Sequence, residues 1–117
     1  LVLCVNNFRD REHDESIRRY TMAVVLGRSL TIAAYRLMLF VPYALILCIV
    51  VMDWTRYPYL LVFITLIKAW RLPLDLATKS GYELNSTLFA TVKLEVLFAL
   101  TLTIGALIHA YLIWFAR

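Results

Sequence analysis

Charged and amide side chains concentrate in one segment near the start of the chain, residues 5–27. Asp10 and Asp14 in this segment are four residues apart. On a helix, residues at this spacing lie on one face about one turn apart, and two carboxylates placed so repel each other unless a cation lies between them. Mg²⁺ is typically held by one or two carboxylates together with waters and substrate phosphates. The spacing is therefore compatible with a Mg²⁺ site at Asp10 and Asp14.

Amide and guanidinium groups surround this carboxylate pair. Asn6 and Asn7 precede Asp10 by about one turn, and Arg9 and Arg11 flank it directly. Further arginines follow at Arg18, Arg19 and Arg28. Guanidinium is always charged and binds phosphate oxygens in pairs. The combination favours a site for a metal ion and a phosphate ester. The alternative is a solvated loop of mixed charge beside a membrane, because charge runs are usually solvated.

The remainder of the chain is apolar. Of its 117 residues, 62% are hydrophobic, which exceeds the usual share in a soluble domain. Long apolar stretches of this kind place the protein in a lipid bilayer. The net charge of +4 therefore bears on membrane orientation, and no nucleic-acid partner is expected, since the basic residues are not interleaved with aromatics on a soluble fold. Cys4 and Cys48 are predicted to be packing residues.

The apolar stretches predict an all-α, multi-pass transmembrane helix bundle, with about three full spans and the end of a fourth. The chain begins with Leu1 inside an apolar run, so we expect a fragment that starts within a helix. The predicted order is a helix end at 1–8, a polar motif loop at 9–28, and transmembrane helices at 29–52, 57–77 and 87–115.

Five residues carry specific expectations. Arg36 is predicted to anchor the first full span by reaching back to the lipid headgroups, or alternatively to contact a phosphate inside the bundle. Pro42 is predicted to kink the same helix. Gly105 is predicted to allow close helix packing. His109 is expected to be a hydrogen-bonded packing residue, and His13 a solvated histidine.

The distribution of cations predicts the orientation, because cytoplasmic loops are enriched in lysine and arginine. Counted over alternate loops, one side carries Arg56 and Arg117 only. The other carries Arg9, Arg11, Arg18, Arg19, Arg28, Lys68, Arg71 and Lys79. The motif loop is therefore expected on the cytoplasmic side of the cell membrane.

The order of residues in the polar segment resembles a known motif. It is similar to the second aspartate-rich motif of the intramembrane aromatic prenyltransferases, the UbiA superfamily, and in particular to the 1,4-dihydroxy-2-naphthoate prenyltransferase branch, the MenA type. That branch typically reads Asn-Asn-x-Arg-Asp-x-x-x-Asp, then Gly-Lys-x-Thr-Leu-Ala-Val-x-Leu-Gly. The residues that agree with it without a gap are Asn6, Asn7, Arg9, Asp10, Asp14, Thr21, Ala23, Val24, Leu26 and Gly27.

Some positions depart from this pattern. Arg18 stands where the branch has glycine, a residue that tolerates a positive φ angle, and Arg19 stands where it has lysine, so that the cation is kept. Tyr20 and Met22 also differ. Farther along, the Leu84-Asn85 pair before the last helix resembles the end of the same branch.

The resemblance implies a nine-helix membrane enzyme in which two aspartate-rich motifs hold Mg²⁺ against the diphosphate of a polyprenyl donor. Ionisation of the donor gives an allylic carbocation, which an aromatic ring attacks. Carried over to this sequence, Asp10 and Asp14 are the catalytic metal ligands. Asn7 and Arg9 assist at the metal or the diphosphate, and Arg19 contacts the diphosphate.

For the branch, the acceptor is 1,4-dihydroxy-2-naphthoate, the ring carboxylate leaves as CO₂, and the product belongs to menaquinone biosynthesis. Only the second motif occurs in this chain, so the resemblance implies a C-terminal part that is inactive without the missing N-terminal helices. One alternative is a prenyltransferase of the same superfamily for 4-hydroxybenzoate, homogentisate or a porphyrin. The other is a non-enzymatic membrane protein fragment.

Overall fold

A computed structural model describes residues 1–115, and all regular structure within that range is helical. Arg117, which was predicted to close the last span, lies outside the described residues. The α-helices are α1 (Val2–Arg9), α2 (Arg11–Ser16), α3 (Met22–Met52), α4 (Leu66–Ala69), α5 (Leu72–Thr78) and α6 (Leu84–Phe115). Two 3₁₀ helices, Trp54–Thr65 and Gly81–Glu83, complete the structure.

Two of these helices, α3 and α6, are long and apolar enough to cross a membrane. The 32 residues of α6 rise about 48 Å, against a hydrocarbon core of about 30 Å. Most large apolar side chains of α6 are exposed, among them Leu100, Leu107 and Trp114. The all-α class predicted from the sequence is therefore confirmed for residues 1–115, and two helices there have the length and apolar character to cross a membrane.

A break at Gly27 divides α3. Gly27 has φ 70° and ψ −179°, a combination that is essentially restricted to glycine. The turn Met22–Leu26 is therefore separated from the long helical part at residues 28–52. Pro42 lies inside that long part, where the backbone angles stay helical. The backbone angles inside α3 leave the helical range at Gly27 and not at Pro42, and the kink expected at Pro42 stays a prediction.

The range 57–77, predicted as one helix, consists of the long 3₁₀ helix followed by α4 and α5. Pro73 causes the interruption between Ala69 and Leu72, because its ring would clash with the Ala69 carbonyl in a continuous α-helix. Within the 3₁₀ helix, the Thr65 hydroxyl donates to the Val62 carbonyl at 2.6 Å. The last helix, predicted from residue 87, begins at Leu84.

Buried hydroxyl groups join the long elements. Tyr35 of α3 and Thr91 of α6 are hydrogen-bonded at 2.9 Å, and Tyr43 of α3 and Thr65 of the 3₁₀ helix at 2.7 Å. The Tyr43 ring also packs edge-on against Phe98 of α6, with 5.1 Å between ring centroids. These contacts hold α3, α6 and the 3₁₀ helix side by side.

The closest approach between two elements occurs at Gly105 of α6. A Cβ atom there would lie 2.6 Å from the Pro58 carbonyl oxygen and 3.1 Å from the Cα of Tyr59. The close packing predicted for Gly105 is therefore confirmed. A few residues farther on, His109 Nδ1 lies 2.9 Å from the Thr55 carbonyl oxygen. Since a carbonyl only accepts, Nδ1 carries the proton, and His109 is the hydrogen-bonded packing residue that was expected.

We predict that Gly105→Ala destabilises the protein by about 1–3 kcal/mol, because the added methyl group meets rigid backbone and forces α6 away from the 3₁₀ helix. Thermal unfolding in detergent micelles measures the change. Thr103→Ala, at an exposed position of the same helix, is the control and should unfold within about 0.5 kcal/mol of the wild type. Equal stability of the Gly105→Ala and control variants would contradict the close approach.

Candidate functional site

The two predicted metal ligands lie on either side of a helix junction. Asp10 ends α1 and begins α2, with φ −91° and ψ 6°. The Asp14 N–H donates to the Asp10 carbonyl at 2.9 Å, so the two residues are one turn apart along the backbone. Their side chains have different surroundings, since the Asp10 carboxylate is 36% exposed and that of Asp14 is 4% exposed.

Asp10 is paired with the preceding arginine. Arg9 donates from Nε to Asp10 Oδ1 at 2.7 Å and from Nη2 to Asp10 Oδ2 at 2.8 Å. The same guanidinium donates from Nη2 to Asn6 Oδ1 at 2.9 Å and from Nη1 to Asn85 Oδ1 at 2.7 Å. Arg9 therefore connects α1 and the α2 start to the first turn of α6. In this arrangement the N–H donors of Arg9 are bound to side chains of the protein, and Arg9 positions the Asp10 carboxylate.

This pairing changes the ionisation of both partners. The hydrogen bonds from Arg9 hold the pKa of the Asp10 carboxyl below its ordinary value, and the charges of His13 and Arg19 act in the same direction. The hydrogen bond to Asp10 raises the pKa of Arg9. Asp10 is therefore ionised over the whole physiological pH range, as a metal ligand must be.

Asp14 has a buried carboxylate with few partners. No side chain or backbone N–H among residues 1–115 donates a hydrogen bond to it, and the nearest cation is Arg19, whose Nη1 lies 3.7 Å from Asp14 Oδ1. The Arg19 side chain is itself 69% exposed. Because a buried charge is costly unless it is paired or coordinates a metal, Asp14 has the capacity to accept a further cationic ligand.

A turn after α2 brings Arg19 back over Asp14. The Arg18 N–H donates to the Glu15 carbonyl at 3.1 Å and the Arg19 N–H to the Asp14 carbonyl at 2.7 Å. These two bonds define a Schellman motif, in which the residue after the C-cap adopts the left-handed conformation and is usually glycine. Arg18 occupies that position with φ 57°. The left-handed conformation at position 18 is one that glycine adopts readily, and glycine is the residue that the resembling motif has there.

The carboxylate of Asp10 faces an open cavity of about 560 Å³ at this end of the molecule. Arg9 contributes to its wall from α1, Glu12 and His13 from α2, and Gly81 and Tyr82 from the second 3₁₀ helix. His13 is exposed there, as expected for a solvated histidine. The lining includes two carboxylates, those of Asp10 and Glu12, whereas Asp14, Arg19 and Asn7 are not part of it.

The residues present fit a Mg²⁺ ion in part. In the described part of the chain no group of three or more histidine, cysteine, aspartate or glutamate side chains could hold a metal ion. Mg²⁺ nevertheless uses one or two carboxylates and takes its remaining ligands from waters and phosphates. The Asp14 carboxylate, which lacks hydrogen-bond donors, and the ionised Asp10 carboxylate supply that number.

Three further polar residues near the site are Asn7, Asn85 and Arg28. Asn7 is half-buried on α1, and its side chain makes no hydrogen bond within residues 1–115. Asn85 had been noted only for its resemblance to the family, and its contact with Arg9 was not foreseen. Arg28 was counted only as an orienting charge, but it donates to the Ala77 carbonyl at 2.7 Å and lies over the Phe8 ring at 5.2 Å.

Comparisons of this chain with protein-family models, with curated proteins and with solved structures found no match. Any assignment of a protein class therefore depends on the residues of the site and on their geometry.

We predict that Arg18→Gly raises the free energy of unfolding by about 1 kcal/mol, because it removes the side-chain clash of the left-handed conformation. Thermal or chemical unfolding in micelles measures the gain. Arg18→Ala removes the same charge and keeps the clash, so it is the matched control and should not stabilise. A gain of the same size in both variants would show that charge, and not backbone conformation, is the cause.

We further predict that acid weakens the Arg9–Asp10 pair. A carboxyl whose pKa is lowered by folding stabilises the protein above its unfolded pKa, about 3.9, and the stabilisation is lost as the pH falls through the folded pKa. Asp10→Asn should therefore flatten the fall in stability below about pH 4.5. The flattening should vanish in an Arg9→Gln background, and its persistence there would refute the pairing.

Proposed function

We propose that this chain is the C-terminal part of an intramembrane prenyltransferase of the UbiA type. Its proposed reaction is Mg²⁺-dependent transfer of a polyprenyl group from polyprenyl diphosphate to 1,4-dihydroxy-2-naphthoate in menaquinone biosynthesis. The observation that supports it most is the Asp14 carboxylate, buried and without a hydrogen-bond donor in residues 1–115, one turn from the Arg9-paired Asp10. The open cavity beside Asp10 adds support.

The proposal gives each site residue a separate task. Asp10 and Asp14 would hold Mg²⁺, which when bound neutralises the charge that develops on the leaving diphosphate. Arg9 keeps Asp10 ionised and oriented. Arg19, exposed and 3.7 Å from Asp14, is free to turn towards a diphosphate oxygen. Asn7 on α1, whose amide makes no hydrogen bond within residues 1–115, is available as a further ligand.

The proposed enzyme is a multi-pass bundle, and the interrupted element between α3 and α6 is consistent with a third crossing. The 12 residues of the 3₁₀ helix Trp54–Thr65 rise about 24 Å at 2.0 Å per residue. The four residues of α4 add about 6 Å. Their total matches the thickness of the hydrocarbon core, about 30 Å.

The orientation follows from the cations at the site end. Arg9 contacts Asn85, Arg28 contacts Ala77 and Lys79 contacts Ser86 at 3.1 Å, so cations from three parts of the chain collect at one end of the helices. By the excess of positive charge on cytoplasmic loops, we propose that this end faces the cytoplasm. The first aspartate-rich motif, which would complete the clamp on the diphosphate, would come from the missing N-terminal helices, and residues 1–117 alone would be inactive.

We predict that Asp14→Asn or Asp10→Asn, made in the full-length protein, lowers the turnover number about 10²–10³-fold at saturating Mg²⁺. Each change removes one negative charge with little change of volume. The assay follows prenylated naphthoate and CO₂. Glu15→Gln, an exposed carboxylate on the same helix, is the control and should stay within about twofold of the wild type.

The same assay separates the class from the acceptor. Near wild-type turnover in both aspartate variants would remove the prenyltransferase assignment. Prenylation of 4-hydroxybenzoate with no reaction of the naphthoate would keep the class and overturn the acceptor.

We also predict that Arg19→Lys keeps a Michaelis constant for the polyprenyl diphosphate within a few-fold of the wild type, whereas Arg19→Ala raises it about tenfold or more. The reason is that a cation at position 19, and not the shape of guanidinium, is required opposite the diphosphate. An unchanged Michaelis constant in Arg19→Ala would assign Arg19 to the Asp14 pair alone.

A further inference from the structure

A second concave site lies away from the aspartates, where the helix break between α4 and α5 meets α3. It is a cavity of about 280 Å³, open at the surface and lined by Arg36, Phe40, Trp70, Pro73 and Leu74. Four of these side chains are apolar or aromatic, and one is a cation. No carboxylate lines it.

The cation of this cavity has no partner within residues 1–115. Arg36 is exposed, and no carboxylate or carbonyl oxygen in that range accepts a hydrogen bond from its guanidinium. Lys68 and Arg71, on either side of Trp70 in sequence, are also exposed and lack an ion pair in the described part. The acidic residue nearest in sequence, Asp75, is bound to Lys79 at 3.1 Å. Arg36 is therefore the one cation that lines the cavity, and Lys68 and Arg71 add positive charge close in sequence to its Trp70 wall.

The position of the cavity along α3 is compatible with a membrane interface. Arg36 precedes Asp53, the polar C-cap of α3, by 17 residues, or about 25 Å of helix. This distance, lengthened by the reach of an arginine side chain, matches the hydrocarbon thickness of about 30 Å. Trp70 is 68% exposed and packs edge-on against Phe40 with ring centroids 5.8 Å apart. Exposed tryptophan is typical of the interfacial belt of membrane proteins.

From these observations we infer that the Arg36–Trp70 cavity binds the phosphate of an anionic phospholipid headgroup. Guanidinium binds phosphate oxygens in a bidentate manner, and basic pockets between helices at the cytoplasmic surface are suited to anionic headgroups. Phe40, Trp70 and Leu74 then contact the glycerol and the first methylene groups. The cavity is separate from the aspartate site, and its ligand does not depend on the reaction proposed above.

The test is a titration of phosphatidylglycerol into the protein in neutral detergent micelles, with bound lipid counted by native mass spectrometry. Arg36→Gln should weaken binding about tenfold or more, because charged hydrogen bonds are lost. Lys93→Gln is the matched control. Lys93 is an exposed cation of α6, two residues after Thr91, which is bonded to Tyr35 of α3. It is not part of the lining of the Arg36–Trp70 cavity. It should stay within about twofold of the wild type.

Two further arms decide the source of the phosphate. Phosphatidylcholine should not compete, and excess inorganic phosphate should not displace the lipid, since neither offers both the anionic charge and the apolar contact. Displacement by inorganic phosphate would overturn the lipid assignment. Equal losses in the Arg36→Gln and Lys93→Gln variants would also overturn it, because they would indicate attraction by charge without a site. Arg36→Lys, which keeps the charge and the fold, should fall between the wild type and Arg36→Gln.

Discussion

The polar end of the molecule depends on one guanidinium group. Arg9 bridges Asp10, Asn6 and Asn85 with four hydrogen bonds of 2.7–2.9 Å, and so joins residues that are 76 positions apart in sequence. The long helices are held by apolar packing and buried hydroxyl pairs, but such packing has no direction of its own at a solvated end. The charge-assisted hydrogen bonds of Arg9 are directional and fix the orientation of the elements at this end. The position of α2, and with it that of Asp14, follows from this bridge.

The two aspartates share a spacing but not an electrostatic state. The charge of Asp10 is balanced by Arg9 at hydrogen-bond distance, whereas the nearest cation to Asp14 is 3.7 Å away on an exposed side chain. The negative charge that remains available therefore belongs mainly to Asp14. In the proposed reaction this asymmetry lets one carboxylate fix the geometry while the other supplies affinity for a cation.

The sequence predicted the features that depend on residue type and on spacing along one helix. The one-turn spacing of Asp10 and Asp14, the close approach at Gly105 and the hydrogen-bonded state of His109 agree with the structure. It did not predict the Arg9–Asn85 bond, because that contact depends on how α1 and α6 are placed by the whole fold. The interruption at residues 70–71 was missed because the helix was expected to continue past the charged residues Lys68 and Arg71 to residue 77, although Pro73 carried the signal. The roles of the site residues in a reaction stay predictions.

The long 3₁₀ helix has a consequence for how the chain length can vary during evolution. Side chains three residues apart on a 3₁₀ helix are in line, so Val62 and Thr65, both buried, form a straight edge towards the neighbouring helices. One residue inserted between them would turn everything after it by a third of a rotation and carry Thr65 away from the neighbouring helices. Insertions should therefore be tolerated in the polar connections and selected against between Pro58 and Thr65.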